Sequence, residues 1–192
     1  MLHARALPRK FFERDPEIVA KELLGKRLIR GLDEVLEGTI VETEAYYGLD
    51  DPASRAYQGL KHYNKLMWGD PGRAFICNVH NNWMFNVIAH EPGGIGAVLI
   101  RAMEPTKGVE VMKGNRNVEN IHELTNGPGK LTRALKIDRR LNGISLTSGR
   151  SKIVVADNEM RFDVMSSHRI GVRRDLEKEL RFSIKGNIFV SK

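Results

Sequence analysis

Apolar positions along the chain follow two rhythms. Ile18, Val19, Leu23 and Leu24 recur at helical spacing, with Asp15 placed to cap, Pro16 at the first helical position and Gly25 just past the end. The rhythm then shortens. Residues 26–31 and 35–46 read as strands joined by the turn "GLDE", and 73–79 (RAFICNV) and 82–89 (NWMFNVIA) read as a pair around the polar tip "HNN". "EPGGIG" turns into a further strand at 97–103 (AVLIRAM). A helix is predicted over 107–114. After a polar stretch to 126, "GPGKLTRALKI" starts another at its glycines, with Leu131, Ala134 and Leu135 facing inward. Short strands follow at 144–146, 152–156 and 180–190, with turns at Asn142-Gly143 and Lys185-Gly186. Strands joined by tight turns, with helices in blocks, predict an α+β fold around a largely antiparallel sheet.

One strand carries unusual chemistry. In "IVETEAYYGLDDPASRAYQG" (40–59), Glu42, Glu44 and Tyr46 alternate with Val41, Thr43 and Ala45. Alternate residues share a face, so two carboxylates and a phenol line up. That face is either a solvated edge that resists aggregation, or a site where a carboxylate orients a water beside an aromatic surface for a flat ring. The pattern leaves both open.

Composition narrows the class. The chain has 192 residues, no internal repeat and no Gly/Ser/Pro-rich linker, so a single domain spanning 1–192 is expected, large enough for a core without disulfides or a structural metal. Hydrophobic residues make up 41% and charged residues 29%, ordinary for a globular protein. No apolar run approaches the roughly 18 residues that span a bilayer. The basic start MLHARALPRKFFERD lacks a signal-peptide apolar region. Cys77 is the one cysteine, which excludes an intramolecular disulfide and argues against a thiolate zinc site. The expectation is an intracellular monomer with no membrane partner. A net charge of +7 suits a polyanionic partner without identifying one.

Most motif candidates dissolve on inspection. His3, His62, His80, His90, His122 and His168 are scattered with no i,i+4 pair, so no metal site is expected. No Ser/His/Asp order or G-x-S-x-G elbow can be assembled. "PGGIG" (92–96) leads into a strand, whereas a dinucleotide fingerprint leads into a helix. "NGPGKLT" (126–132) has Leu131 where a phosphate loop needs Ser or Thr. It remains either a plain cap or a helix start at which Lys130 and Arg133 grip one backbone phosphate. The tip His80-Asn81-Asn82 is either an exposed turn or a wedge for a stacked duplex.

Taken in order, "ETEAY", "DDPAS-A--G", Asn64 and Met67, "PG", Asn86-Val87, "RAMEP", "GPGKL--AL-I", "RIGV" and "LRF" resemble the 3-methyladenine (alkyladenine) DNA glycosylases of the single-domain, non-helix-hairpin-helix type. The match runs from about residue 10 to 190. The resemblance implies a curved antiparallel sheet with flanking helices and a protruding β-hairpin that enters the DNA minor groove. It implies a monofunctional enzyme that removes damaged purines from double-stranded DNA in base excision repair, without cofactor or metal. Carried over by position, Glu44 activates water, while Arg101 and the main-chain carbonyl of Val172 help hold it. Tyr46 stacks on the flipped base and Asn86 lies in the pocket. Asn64, Lys130 and Arg133 are the expected backbone contacts. A non-catalytic nucleic-acid-binding module on the same scaffold is the alternative.

Three positions depart from the family pattern. Arg55 stands where a His usually follows "DDPAS", Cys77 is nearest to a usual stacking Tyr, and His80 stands at the tip where an intercalating Tyr is usual. Phe75 and Trp83 compete to supply the missing ring. Guanidinium has donors and no acceptor, so Arg55 reading a base edge would favour a purine with O6, such as hypoxanthine or 7-methylguanine. Alternatively Arg55 binds a phosphate or pairs with Asp50 or Asp51.

Overall fold

The computed structural model describes residues 5–191, and His3 lies outside them. A short α1 (Arg9–Phe12) leads into α2 (Pro16–Leu23). The Asp15 carboxylate accepts hydrogen bonds from the N–H groups of Glu17 (2.7 Å) and Ile18 (3.4 Å), a cap worth about 1 kcal/mol. The chain then forms β1 (Arg27–Gly31), β2 (Val35–Tyr46), β3 (Ala74–Val79), β4 (Asn82–Ile88) and β5 (Ala97–Lys107). Next come α3 (Val109–Arg116), α4 (Pro128–Ala134), β6 (Ile153–Ala156), β7 (Val164–Ser167) and β8 (Arg181–Ile184).

These strands make one antiparallel sheet in the order β3-β4-β5-β2-β1-β6, with β8 on β2 and β7 on β8. The spine is β2. One of its edges pairs with β5, while the other is divided, Val35–Thr39 pairing with β1 and Glu42–Glu44 with β8. Register shifts against β5 flank Glu42, and such bulges bend a strand. The bent, shared spine gives the sheet its curl.

Strand alternation sorts the two faces of that sheet. Val41, Ala45, Ile76, Phe85, Val98 and Ile100 join the main core with Val19 and Leu23 of α2 and Leu131 of α4. Thr43 also points to this face and donates its hydroxyl to the Ala20 carbonyl (2.8 Å). Phe75, Ile88 and Ala97 emerge on the opposite face and form a smaller cluster with Ala56 and Met67. Glu42, Glu44 and Tyr46 therefore belong to the side away from α2.

Several expected boundaries move. β5 runs on to Lys107 because the long β2 supplies partners as far as Glu37, which delays α3 to Val109. Residues 144–146 make only a bridge beside Arg73, although Ala74 N–H donates to the Ile144 carbonyl (2.9 Å) and Leu146 N–H to the Gly72 carbonyl (2.8 Å). Within 180–190 only Arg181–Ile184 is strand, since the Lys185-Gly186 turn ends it. β7 escaped the sequence reading because its residues are largely exposed and carry no alternation. The hairpin tip is His80-Asn81 alone, with Val79 already paired to Asn82. Both tip residues are left-handed (φ 47° and 60°), the backbone that a two-residue hairpin of matching twist requires.

Gly108 and Gly186 have similar positive φ (69° and 75°) but different surroundings. A Cβ on Gly108 would lie 2.4 Å from Leu36 Cδ2, whereas Gly186 faces open space. Gly108→Ala is expected to cost roughly 2–4 kcal/mol and Gly186→Ala roughly 1 kcal/mol, read from urea unfolding midpoints.

Candidate active site

Glu42 and Glu44 are both fully buried, so the face they share is not a solvated edge. Arg101, across the ladder on β5, joins them: its Nε donates to Glu42 Oε1 (2.8 Å), and one terminal nitrogen lies 3.1 Å from Glu44 Oε1. Glu42 has further donors in Arg181 Nε (2.7 Å), Ser191 N–H (2.7 Å) and the Ser191 hydroxyl (2.8 Å). Burial pushes its carboxyl up. Arg101, Ser191 and Arg181 outweigh that push and hold it below the ordinary carboxylate range. Burial likewise works against the Arg101 guanidinium, yet Glu44 and Glu42 raise it above its usual value, so it stays charged.

Glu44 is held differently. Its Oε1 also accepts the Ile170 N–H (2.8 Å), and its Oε2 accepts the Tyr46 hydroxyl (2.8 Å). Burial, then the Glu44 charge, push the Tyr46 phenol well above its ordinary value, which fixes it as a neutral donor. Oε2 thus keeps capacity for another donor, because a carboxylate oxygen can accept two hydrogen bonds.

Arg169 organises the surroundings and was missed by sequence reasoning, although it opens the quoted "RIGV". Its side chain is wholly buried. It makes a two-pronged pair with Asp51 (2.7 Å on each arm), contacts Asp175, and donates to the Ala45 carbonyl (2.9 Å). Its guanidinium carbon also lies 4.6 Å from the centre of the Tyr46 ring. Asp51 further accepts the N–H groups of Tyr47 (3.0 Å) and Ala53 (3.0 Å). Asp51 is thereby occupied, which corrects the expected alternative of an Arg55–Asp51 pair.

A cavity of about 740 Å³ opens above this group. Tyr46, Arg101, Ile170 and Val172 line it, while Glu44 lies just behind them, in contact with the first three. Among the described residues the Val172 carbonyl accepts no hydrogen bond. Arg55, Cys77, His80 and Asn86 also line the cavity, so the structure brings these sequence candidates together. Asn86 directs its amide nitrogen at the carbonyls of Phe75 (3.0 Å) and Met84 (3.4 Å). Arg55 donates to the Asn78 carbonyl (3.1 Å). Burial raises the Cys77 thiol above its ordinary value despite the opposing Arg55 charge. Phe75 lines this cavity and Trp83 does not, which answers which ring is available; Tyr57 and Tyr63 line it as well. Their stretch, 55–64, showed no periodicity to announce them.

The expected backbone contacts separate. Asn64 is fully buried, and its amide staples the 55–64 loop through the carbonyls of Arg55 (2.7 Å) and Gly59 (3.0 Å) and the N–H of Lys61 (2.6 Å). This corrects its expected phosphate contact, because no polar atom of the side chain is left over. Lys130 holds Asn126 (2.9 Å), and Arg133 is exposed and holds Asn82 beside the hairpin tip (2.9 Å). No helix among the described residues is long and apolar enough to cross a membrane.

Residues 10–188 match the family model described as methylpurine-DNA glycosylase. Curated proteins named "Putative 3-methyladenine DNA glycosylase" match nearly end to end. That of Carboxydothermus hydrogenoformans is 41% identical over 97% of this chain and 98% of its own length. Those of Aeropyrum pernix (39%; 98% and 94%) and Clostridium perfringens (40%; 97% and 98%) are similarly related.

Replacing Glu42 by Gln is expected to lower stability near neutrality by about 3–5 kcal/mol, because Arg101 and Arg181 lose their shared counter-charge. The wild-type carboxyl titrates below its unfolded value. Its contribution is therefore fully present above the ordinary carboxylate range and disappears as pH falls through the depressed folded value. Thermal melts across the acid range should show this slope in wild type and lack that part of it in Glu42→Gln.

Proposed function

The chain belongs to the methylpurine-DNA glycosylase family, and we propose that it excises damaged purines from double-stranded DNA by water attack on the N-glycosidic bond of a flipped-out nucleotide. What carries this reading is Glu44, a buried carboxylate fixed by three donors at the back of a cavity that is rich in aromatic rings and lies in a basic protein. Glycosidic cleavage passes through an oxocarbenium-like sugar, and a fixed carboxylate both stabilises that charge and accepts a proton from water. Oε2 has the capacity to receive the water, with Arg101 and the Val172 carbonyl as its other partners. A cationic N-alkylated purine departs as a neutral molecule, so no general acid is required for it. Hypoxanthine leaves less readily, and no side chain here is an evident donor.

Tyr46 would stack on the extruded base, with Asn86 and Cys77 on the pocket wall. The His80 tip would fill the vacated space in the duplex, and Lys130 and Arg133 would meet backbone phosphates beside it. The family relationship and the basic surface support DNA as the partner. The product is an abasic site in an intact strand, formed by a monomer and without a cofactor.

Glu44→Gln is expected to slow base release at least 100-fold while damaged-DNA binding changes little, measured by single-turnover release and gel-shift titration. A non-catalytic binder would release no base in wild type, and a borohydride-trapped protein–DNA adduct would contradict direct attack by water. For Arg55, the ratio of single-turnover rates on hypoxanthine and 3-methyladenine duplexes should move toward 3-methyladenine in Arg55→His. An unchanged ratio would leave Arg55 no part in reading the base.

A further inference from the structure

The β3–β4 hairpin is a wall between two cavities. The second, of about 770 Å³, runs along the outer edge of β3. Alternation assigns side chains to each: the cross-strand pair Phe75 and Asn86 faces the first cavity, and the pair three steps nearer the tip, Asn78 and Trp83, with its side chains on the opposite face, lines the second. Arg55 stands at the rim and touches both.

The second cavity is lined by Arg55, Lys65, Arg139 and His62, all exposed, and by no Asp or Glu. Some surface cations are matched, Arg9 with Asp70, Arg14 with Glu22, Lys26 with Asp157 and Arg140 with Asp138, while others, such as Arg133, Arg161 and Lys185, make no ion pair among the described residues. Among the described residues Arg55, Lys65 and Arg139 make no ion pair; Arg55 reaches only a carbonyl. Like charges gathered without counter-charges are costly unless an anion arrives to occupy them. The backbone contributes as well. On this edge the N–H groups of Ala74 and Ile76 are taken by the Ile144 carbonyl (2.9 Å) and Asn142 Oδ1 (2.8 Å). The Asn78 N–H follows at the same two-residue interval and has no partner among the described residues.

We propose that this groove binds the phosphodiester backbone of duplex DNA, on the side of the hairpin away from the base cavity. This rests on the glycosylase reading above, and it names a surface that the reaction itself does not use. A duplex that delivers a nucleotide to one side of a thin hairpin must run past the other side. There it meets three cations and an unpaired edge amide, the donor types that phosphates accept from.

Lys65→Glu/Arg139→Glu tests it, since both side chains are exposed. Binding of a fluorescent undamaged duplex is expected to weaken at least 10-fold at low salt, and the slope of log affinity against log salt to fall by roughly 2, about 0.9 for each phosphate no longer neutralised. Single-turnover release at saturating enzyme should stay within about twofold of wild type, since neither residue lines the base cavity. Arg161→Glu/Lys185→Glu makes the same charge change at the β7–β8 end that points away from Glu44, and should weaken binding less than about threefold. Unchanged affinity and slope in the first pair, or equal weakening in both, would overturn the proposal. Base release by wild type tests the glycosylase reading separately, because the binding arms use undamaged DNA and decide the groove whether or not release occurs.

Discussion

Two carboxylates sealed from water on one strand face can coexist only if a cation lies between them, and Arg101 is that cation. Unit charges about 4 Å apart interact by on the order of 4 kcal/mol at an effective dielectric of 20, while removing each ion from water costs several kcal/mol. The cluster therefore gains little stability over an apolar packing of the same space. What it gains is position. Glu42 fixes Arg101 with help from Arg181 and Ser191, and Arg101 in turn holds the Glu44 side chain in one orientation. A carboxylate that need not reorganise when charge develops nearby is the main electrostatic asset a hydrolytic site can have.

A second buried arginine solves a different problem. The segments around Asp51, Arg169 and Asp175 belong to no strand or helix, yet Ile170 must present its N–H to Glu44 with little freedom. Arg169 reaches both carboxylates and the Ala45 carbonyl at the end of β2, so three stretches of chain converge on one planar group with five donors. Its lie over the Tyr46 ring extends the same constraint to the aromatic surface. The long β2 contributes Glu42, Glu44 and Tyr46 from one face, and the two arginines orient what it contributes.

How much of this the sequence disclosed follows from how local each signal was. Period-two alternation in 35–46 and in the 73–89 pair placed Glu44, Tyr46 and the hairpin, because a strand face is written in consecutive residues. The Asp15-Pro16 start of α2 was equally local. Arg169 could not be seen that way, as its partners lie 118 and 124 residues earlier in the chain. Asn64 misled for the related reason that a buried amide stapling its own loop has the same spelling as one offered to a phosphate. The Tyr57 and Tyr63 rings sit in a loop with no rhythm, and only the fold reveals that they meet Phe75 in one cavity.

The replaced positions then have a common physical meaning. Where a ring is usual, Cys77 contributes a small neutral thiol, and aromatic surface comes instead from Phe75, Tyr57 and Tyr63. Arg55 brings a permanent charge to a cavity proposed to receive either cationic alkylated purines or neutral hypoxanthine. Were it buried, its repulsion of a cationic base would dominate substrate choice. It is exposed, so solvent and salt screen that repulsion, and one of its donors is already engaged by the Asn78 carbonyl. Under the proposed function, any influence of Arg55 on the base would therefore come from directional hydrogen bonding to an acceptor at the purine edge and far less from its field. Guanidinium also cannot lend a proton at any ordinary pH, so it can orient a neutral leaving group without acting as its acid.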